Sequence, residues 1–319
     1  MDPTKLHDWQ IAEEAEKKIR PIRDITDKLG LLEDEVTPYG KYICKIDFNK
    51  IWNRVKDNKN GKYIDVTAIT PTPLGEGKTT TTLGLVEGLA RIGKCSLGTI
   101  RQPSGGPTFN IKGSAAGGGL SQCIPLAPFT LGLTGDIDAI TNAHNLCMVA
   151  LTARIQHENN YNDERLSQIG IKRLNIDPDK IQIKWAIDFC AQSLRNITIG
   201  KGGKMDGFEM NSGFQISVSS ELMAILSISN SLEDMRERIS NMIVAYSESG
   251  EEITTSDLEV DGAMTAIMKE SFNPNMVAGH SLGEFSALTA IECISFEEGL
   301  KLVNIRSKAM QEACNLCSG

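Results

Sequence analysis

The chain has 319 residues, 40% of them hydrophobic and 23% charged, with a formal net charge of −8. That length suffices for two modest domains or one large α/β domain with a substantial core. The acidic balance, with no basic block to offset it, excludes a nucleic-acid partner held by phosphate neutralisation and suits a protein that handles anions at one local positive site.

Met1 to Arg20 is charged and lacks an apolar signal region, so no secretory leader is expected. Residues 9–19 carry a helical pattern, and Ile25 to Leu29 reads as another helix closed by Gly30. Ile51 to Val55 reads as a helical turn, and Asn58-Lys59-Asn60-Gly61 as a turn. The apolar run Tyr63 to Ile69 then predicts a strand, and Leu83 to Ile92 an amphipathic helix ended by Gly93. Between them lies Thr70-Pro71-Thr72-Pro73-Leu74-Gly75-Glu76-Gly77-Lys78-Thr79-Thr80. Strand, glycine turn ending in Gly-Lys-Thr, then helix is the layout of a loop that cradles phosphate in backbone N–H groups. Thr72, Pro73, Leu74, Gly75, Glu76, Gly77, Lys78, Thr79 and Thr80 form the candidate nucleotide-binding loop. Lys78 can reach the outer phosphates, and the Thr79 hydroxyl can hold Mg2+. Thr72 stands where the first glycine of the usual pattern would be.

Ser96 to Ile100 reads as the next strand, so the expected unit is β-loop-α-β with a parallel sheet flanked by helices. Residues 103–119 hold eight glycines or prolines in seventeen positions, which predicts a functional loop. The uncharged run Ser114 to Gly135 contains glycines, two prolines, Ser121 and Gln122, and does not read as a membrane helix. Ile137, Ile140, His144, Met148, Leu151 and Ile155 recur at helical spacing and predict one long helix, with His144 a satisfied core histidine. Further on, Asp177-Pro178-Asp179 reads as a turn or helix start and Trp185 to Arg195 as a helix. Phe214 to Val218 reads as a strand, Ser231 to Ile239 as a capped helix, Met242 to Tyr246 as a strand and Val260 to Phe272 as a helix. Eight scattered cysteines form no disulfide framework and fit a reducing, cytoplasmic setting. The Cys314-x-x-Cys317 pair has no second pair to make a zinc site.

Three clusters add possible chemistry. Arg101 stands at the end of the second predicted strand, the edge where open α/β sheets bind ligands. Lys112 adds a cation beside the glycines of the 103–119 loop. Asp136 supplies a carboxylate at a helix start, where alone it reads as a cap.

In this order the motifs resemble the formate–tetrahydrofolate ligase family. The likeness runs from Gly40-Lys41-Tyr42 through the Gly77-Lys78-Thr79 loop, Arg101 to Gly119 and Thr134-Gly135-Asp136. It continues through Ser219 to Ala224, Leu232 to Arg238 and Gly262-Ala263-Met264, to Asn273-Pro274-Asn275. The resemblance implies a P-loop NTPase-like α/β fold over residues 1–275 and ATP-dependent activation of formate to formyl phosphate. The N10 amine of tetrahydrofolate would then attack. Lys78, Arg101 and Asp136 would be catalytic, with Arg101 clamping formyl phosphate oxygens. ATP, Mg2+ and a monovalent cation would be cofactors, and a homo-oligomer is expected. Asn110, Ser114, Leu120, Gly132 and Asp138 depart from the family's pattern.

After Asn275 the character changes. Gly279-His280-Ser281-Leu282-Gly283 has the pattern of a nucleophile elbow, and with Ser295 to Val303 and Arg306 it resembles malonyl-CoA:acyl carrier protein transacylase. Residues 276–319 are therefore expected to be a short helical segment of foreign origin, with Ser281 the acyl nucleophile. No histidine stands downstream to activate it, which argues against acyl transfer. A nucleotide-binding chain without turnover is the alternative expectation.

Overall fold

The computed structural model describes residues 5–69, 75–100, 116–132, 135–203 and 206–280, which divide into two compact units. Of these, the first unit takes 5–69, 75–100, 116–132 and 275–280, and the second takes 135–203 and 206–274.

The first unit opens with α1 (Asp8–Glu16) and α2 (Ile22–Lys28). Ile11, Ala12 and Ala15 lie one turn apart and make the buried stripe of α1. At its start the His7 N–H donates to Gln10 Oε1 at 3.0 Å. β1 (Val36–Pro38) and β2 (Ile43–Ile46) form an antiparallel hairpin that leads into α3 (Phe48–Val55). Asp47 caps α3 by accepting from the Lys50 N–H at 3.1 Å. Arg54 of α3 grips Glu35 through two hydrogen bonds of 2.5 and 2.7 Å. That grip, aided by the Leu32 N–H, holds the Glu35 carboxyl below its usual range although Glu35 is buried. α4 (Lys78–Arg91), β3 (Gly117–Gly118), β4 (Ser121–Ile124) and α5 (Leu126–Thr130) follow.

Two expected strands are absent here. Residues 61–69 and 94–100 pair with no strand among the described residues, and Tyr63 and Ile69 stand almost fully exposed. An apolar run becomes a strand only where a neighbour supplies ladder partners, and none of the described residues does so for 61–69. Residues 96–98 lean on α4 instead. The Ser96 hydroxyl donates to the Val86 carbonyl at 3.0 Å, and a Cβ on Gly98 would lie 2.9 Å from Val86 Cγ2.

The second unit is built around α6 (Asp136–Asn160), the long helix the periodicity predicts. After it come α7 (Asp163–Gln168), β5 (Ile176–Ile181), β6 (Trp185–Ile187), β7 (Ile197–Ile199), β8 (Met210–Ser212) and β9 (Phe214–Ile216). Then come α8 (Glu221–Ile228), α9 (Leu232–Ser240), β10 (Ile243–Ser247), β11 (Glu252–Thr254) and α10 (Asp261–Met268). β10 lies between β11 and β5, antiparallel to both. β7 pairs antiparallel with β8, and β6 pairs parallel with β9. One continuous core joins Ile140, Met148, Leu151 and Ile155 of α6 to Met235, Ile239, Val244, Met264 and Met268. Each such large apolar side chain contributes about 1.5–3 kcal/mol by leaving water.

His144 is 1% exposed within this unit. Its Nε2–H donates to the Lys184 carbonyl at 2.5 Å, which leaves Nδ1 to accept from the Ser220 hydroxyl at 2.8 Å. Burial pushes its pKa below the ordinary value, against a smaller upward pull from the Lys184 carbonyl. It is the satisfied core histidine expected.

Two segments differ from their predicted form. Trp185 to Arg195 is β6 followed by a short 3₁₀ turn, not a helix. The Asn145 side chain brackets Ala186, accepting from its N–H at 2.8 Å and donating to its C=O at 2.9 Å, and β9 pairs alongside. Those bonds hold the backbone extended where local pattern favours helix. Asp177-Pro178-Asp179 lies inside β5, an edge strand, which is where a sheet tolerates proline.

The chain re-enters the first unit as β12 (Asn275–His280). β12 lies between β2 and β4, antiparallel to each, and completes the order β1-β2-β12-β4-β3. Every pairing in this five-stranded sheet is antiparallel, where a parallel β-loop-α-β unit was expected. The molecule is mixed α/β, with small sheets and helices.

Candidate phosphate site and family

Gly77 precedes α4 with φ 76° and ψ 20°, a left-handed turn that side chains other than glycine rarely adopt. A Cβ there would meet nothing within 4 Å among the described residues, so the backbone is open to an approaching group. The first intrahelical bond runs from the Thr81 N–H to the Gly77 C=O at 2.9 Å. The N–H groups of Lys78, Thr79 and Thr80 therefore lie ahead of the helical ladder, at the positive end of a 14-residue helix. Lys78 is exposed, and its Nζ pairs with the carboxylate of Glu76, whose side chain is only 12% exposed. This cation is thus held directly after the glycine turn by an ion pair, two residues apart in sequence, that an incoming anion would have to displace. The Thr82 hydroxyl donates back to the Lys78 carbonyl at 2.9 Å, while Thr79 is half-buried on the first turn.

Packing fixes this helix start. Leu83, Gly84, Leu85 and Gly88 form the buried face of α4. Leu83 meets Ala116 and Cys123 beneath it, with Ile100, Leu126, Phe129 and Val277 around them. Gly117, at φ 92°, is a close approach: a Cβ there would fall 2.1 Å from the Ser121 carbonyl oxygen and 2.8 Å from Leu83 Cδ1. Burial pushes the Cys123 thiol up to about 12, so it stays protonated and inert.

Sequence reasoning missed one residue beside this helix start. Asp8, the first residue of α1, accepts from the Gly119 N–H at 2.9 Å, and the Gln122 amide donates to the Asp8 carbonyl at 3.1 Å. A Cβ on Gly118 would lie 3.4 Å from Asp8 Oδ2 and 3.9 Å from Thr80 Oγ1. Asp8 thus ties α1 to the glycine turn that flanks the first turn of α4. More than a hundred residues separate the partners in sequence, so no local pattern could have paired them.

The structure brings Gly75, Glu76, Gly77, Lys78, Thr79 and Thr80 together in the first unit. It places Asp136 in the second, buried as the first residue of α6 behind Gly135. A carboxylate there complements the helix dipole, as a cap would. Asp138 is exposed on the same turn. Thr72, Pro73, Leu74, Arg101, Lys112, Ser281 and the Cys314–Cys317 pair lie outside the described residues. Among the described residues no group of three His, Cys, Asp or Glu side chains could hold a metal ion, and no helix is long and apolar enough to cross a membrane.

Comparison with known proteins agrees with the motif reading. The family described as formate–tetrahydrofolate ligase matches residues 6–285. The chain is 65% identical over 277 residues to the formate–tetrahydrofolate ligase of Dehalococcoides mccartyi, covering 87% of this chain and 46% of that protein. Against the ligase of Desulforapulum autotrophicum it is 59% identical over 281 residues, covering 87% and 48%. Against that of Thermodesulfovibrio yellowstonii it is 58% identical over 276 residues, covering 86% and 47%. The chain spans about half the length of the curated relatives it matches. The family match takes in Ser281 and gives no support to the transacylase resemblance of residues 276–319. The chain belongs to the formate–tetrahydrofolate ligase family.

Proposed function

We propose that this chain carries the phosphate-handling part of an ATP-dependent ligase that joins formate to tetrahydrofolate. The observation that carries the reading is the start of α4: a left-handed Gly77, three N–H groups ahead of the helical ladder and a lysine on a displaceable ion pair, in a chain of this family. The P-loop likeness rests on that turn and helix rather than on a parallel sheet. In the reaction a formate oxygen attacks the γ-phosphorus of ATP, ADP departs, and formyl phosphate results. The folate N10 amine then attacks the formyl carbon, and inorganic phosphate leaves.

The residues present fit these groups. The glycine turn admits a phosphate where a Cβ would otherwise stand, and the Lys78 ammonium can exchange Glu76 for a phosphate oxygen. Gly75 to Thr80, with Thr72, Pro73 and Leu74 before them, would cradle the triphosphate. Mg2+ bound with ATP would neutralise phosphate charge, and Thr79 would be its protein ligand. Arg101 would clamp formyl phosphate bidentately. Asp136 is proposed as a catalytic carboxylate. A monovalent cation, assembly into a homo-oligomer and a cytoplasmic setting belong to the same reading.

Isothermal titration of the full chain with Mg2+–ATP tests it. Binding is expected, and Lys78→Ala should weaken it at least about tenfold, the loss of one charge-assisted hydrogen bond. Unchanged affinity in Lys78→Ala would overturn the assignment. A second reading, nucleotide binding without turnover, uses the same glycine turn and ion pair. Formate-dependent ADP release and 10-formyltetrahydrofolate formation by the same sample separate the two.

A further inference from the structure

Away from its core face, α6 presents Val149, Thr152, Ala153 and Gln156, positions three to four residues apart and so on one side of the helix. Together with Trp185 of β6 and Phe208 before β8, they line a cleft of about 340 Å³. That is large enough for a bicyclic ring, at the small end of ligand sites.

Gln156, Thr152 and Asp206 each offer it an acceptor. Gln156 Oε1 is buried and has no hydrogen-bond partner among the described residues. The Thr152 hydroxyl gives its hydrogen to the Met148 carbonyl at 2.9 Å, so its lone pairs are what it can offer a ligand. The Asp206 carboxylate, fixed by the Gly202 N–H at 2.7 Å, adds negative charge at the exposed side. Among the described residues that line the cleft there is no lysine or arginine. Gly207, at φ 90°, keeps the turn free of a side chain opposite Gln156, where a Cβ would come within 3.6 Å of Oε1. Aromatic walls with an acceptor-rich lining ask for a flat ligand that brings its own N–H groups.

We propose that this cleft in the second unit is a binding site for a planar heteroaromatic molecule bearing N–H donors, neutral or cationic. It stands on residues outside the phosphate loop and does not depend on the ligase reading.

Three probes of similar shape test it on the full chain: benzofuran with no N–H, indole with one, and 2-aminobenzimidazole with several. Affinities measured by ligand-observed NMR titration should rise in that order, about tenfold at the first step for one hydrogen bond to a buried acceptor. Gln156→Leu, similar in volume, should level benzofuran and indole. Ala153→Phe should fill the cleft and weaken all three, with circular dichroism confirming that each variant is folded. Binding should persist in excess ATP. Equal affinities across the series, no binding by any probe, a gradient unchanged in Gln156→Leu, or displacement by ATP would each overturn the proposal.

Discussion

The two units keep their apolar residues in different ways. Among the described residues, the second gathers nineteen buried ones into one cluster around α6. Those of the first form three clusters of three buried residues each: beneath α1, between α2 and β12, and under α4. Stability grows with shared burial, so truncating a side chain in the single described core of the second unit is expected to cost more than truncating one in a described cluster of the first. The candidate phosphate turn lies beside one of these smaller clusters, where the proposed exchange of the Lys78–Glu76 ion pair for a phosphate would take place.

The largest expected effect sets the two cores against each other. Leu151→Ala, at a fully buried position of α6, should destabilise by about 2–5 kcal/mol, whereas Leu83→Ala under α4 should stay near the lower end of that range. Urea unfolding would read both, and equal losses would break the contrast. Next comes the cap of α9, where the Ser231 hydroxyl accepts from the Asp234 N–H at 3.1 Å. Ser231→Ala should lower stability by about 1 kcal/mol.

The pH dependence then sharpens the comparison. His144 has a folded pKa below its unfolded value, so its contribution is present above about pH 6.5 and fades as pH falls through the depressed value. The Glu35–Arg54 pair of the first unit follows the same sign in a lower window, beginning near pH 4.5. Stability measured between pH 7 and 5 should therefore slope downward, and His144→Gln should flatten that slope while Glu35→Gln should leave it. The opposite pattern would reverse the assignment. Smallest in effect on the fold is thiol labelling at neutral pH. Exposed Cys95 should react with maleimide well ahead of Cys44, Cys123 and Cys147, whose thiols burial pushes up to about 11, 12 and 12.

Much of the helical framework was legible in the sequence, because its periodicity reports the same burial that stabilises it. Ile137 to Ile155 marked α6, and Ser231 marked the start of α9. The glycine turn and the helix after it were legible because Gly75 and Gly77 stand directly before an amphipathic pattern. What the sequence hid depends on distant partners. Ala186 is extended because Asn145 grips its backbone, and residues 61–69 find no strand partner among the described residues because strand pattern supplies no neighbour. The tie between Asp8 and Gly119 is invisible for the same reason.

β12 carries a consequence for synthesis. The central strand of the first unit's sheet comes from residues 275–280, after the whole second unit has been translated. Helices and local hairpins of the second unit can form as they leave the ribosome, at translation speeds of about 5–20 residues per second. The early hairpin of residues 36–46 must meanwhile wait, its inner edge open, for a strand arriving more than two hundred residues later. Such a long wait slows closure and leaves a nascent edge that a chaperone would need to shield.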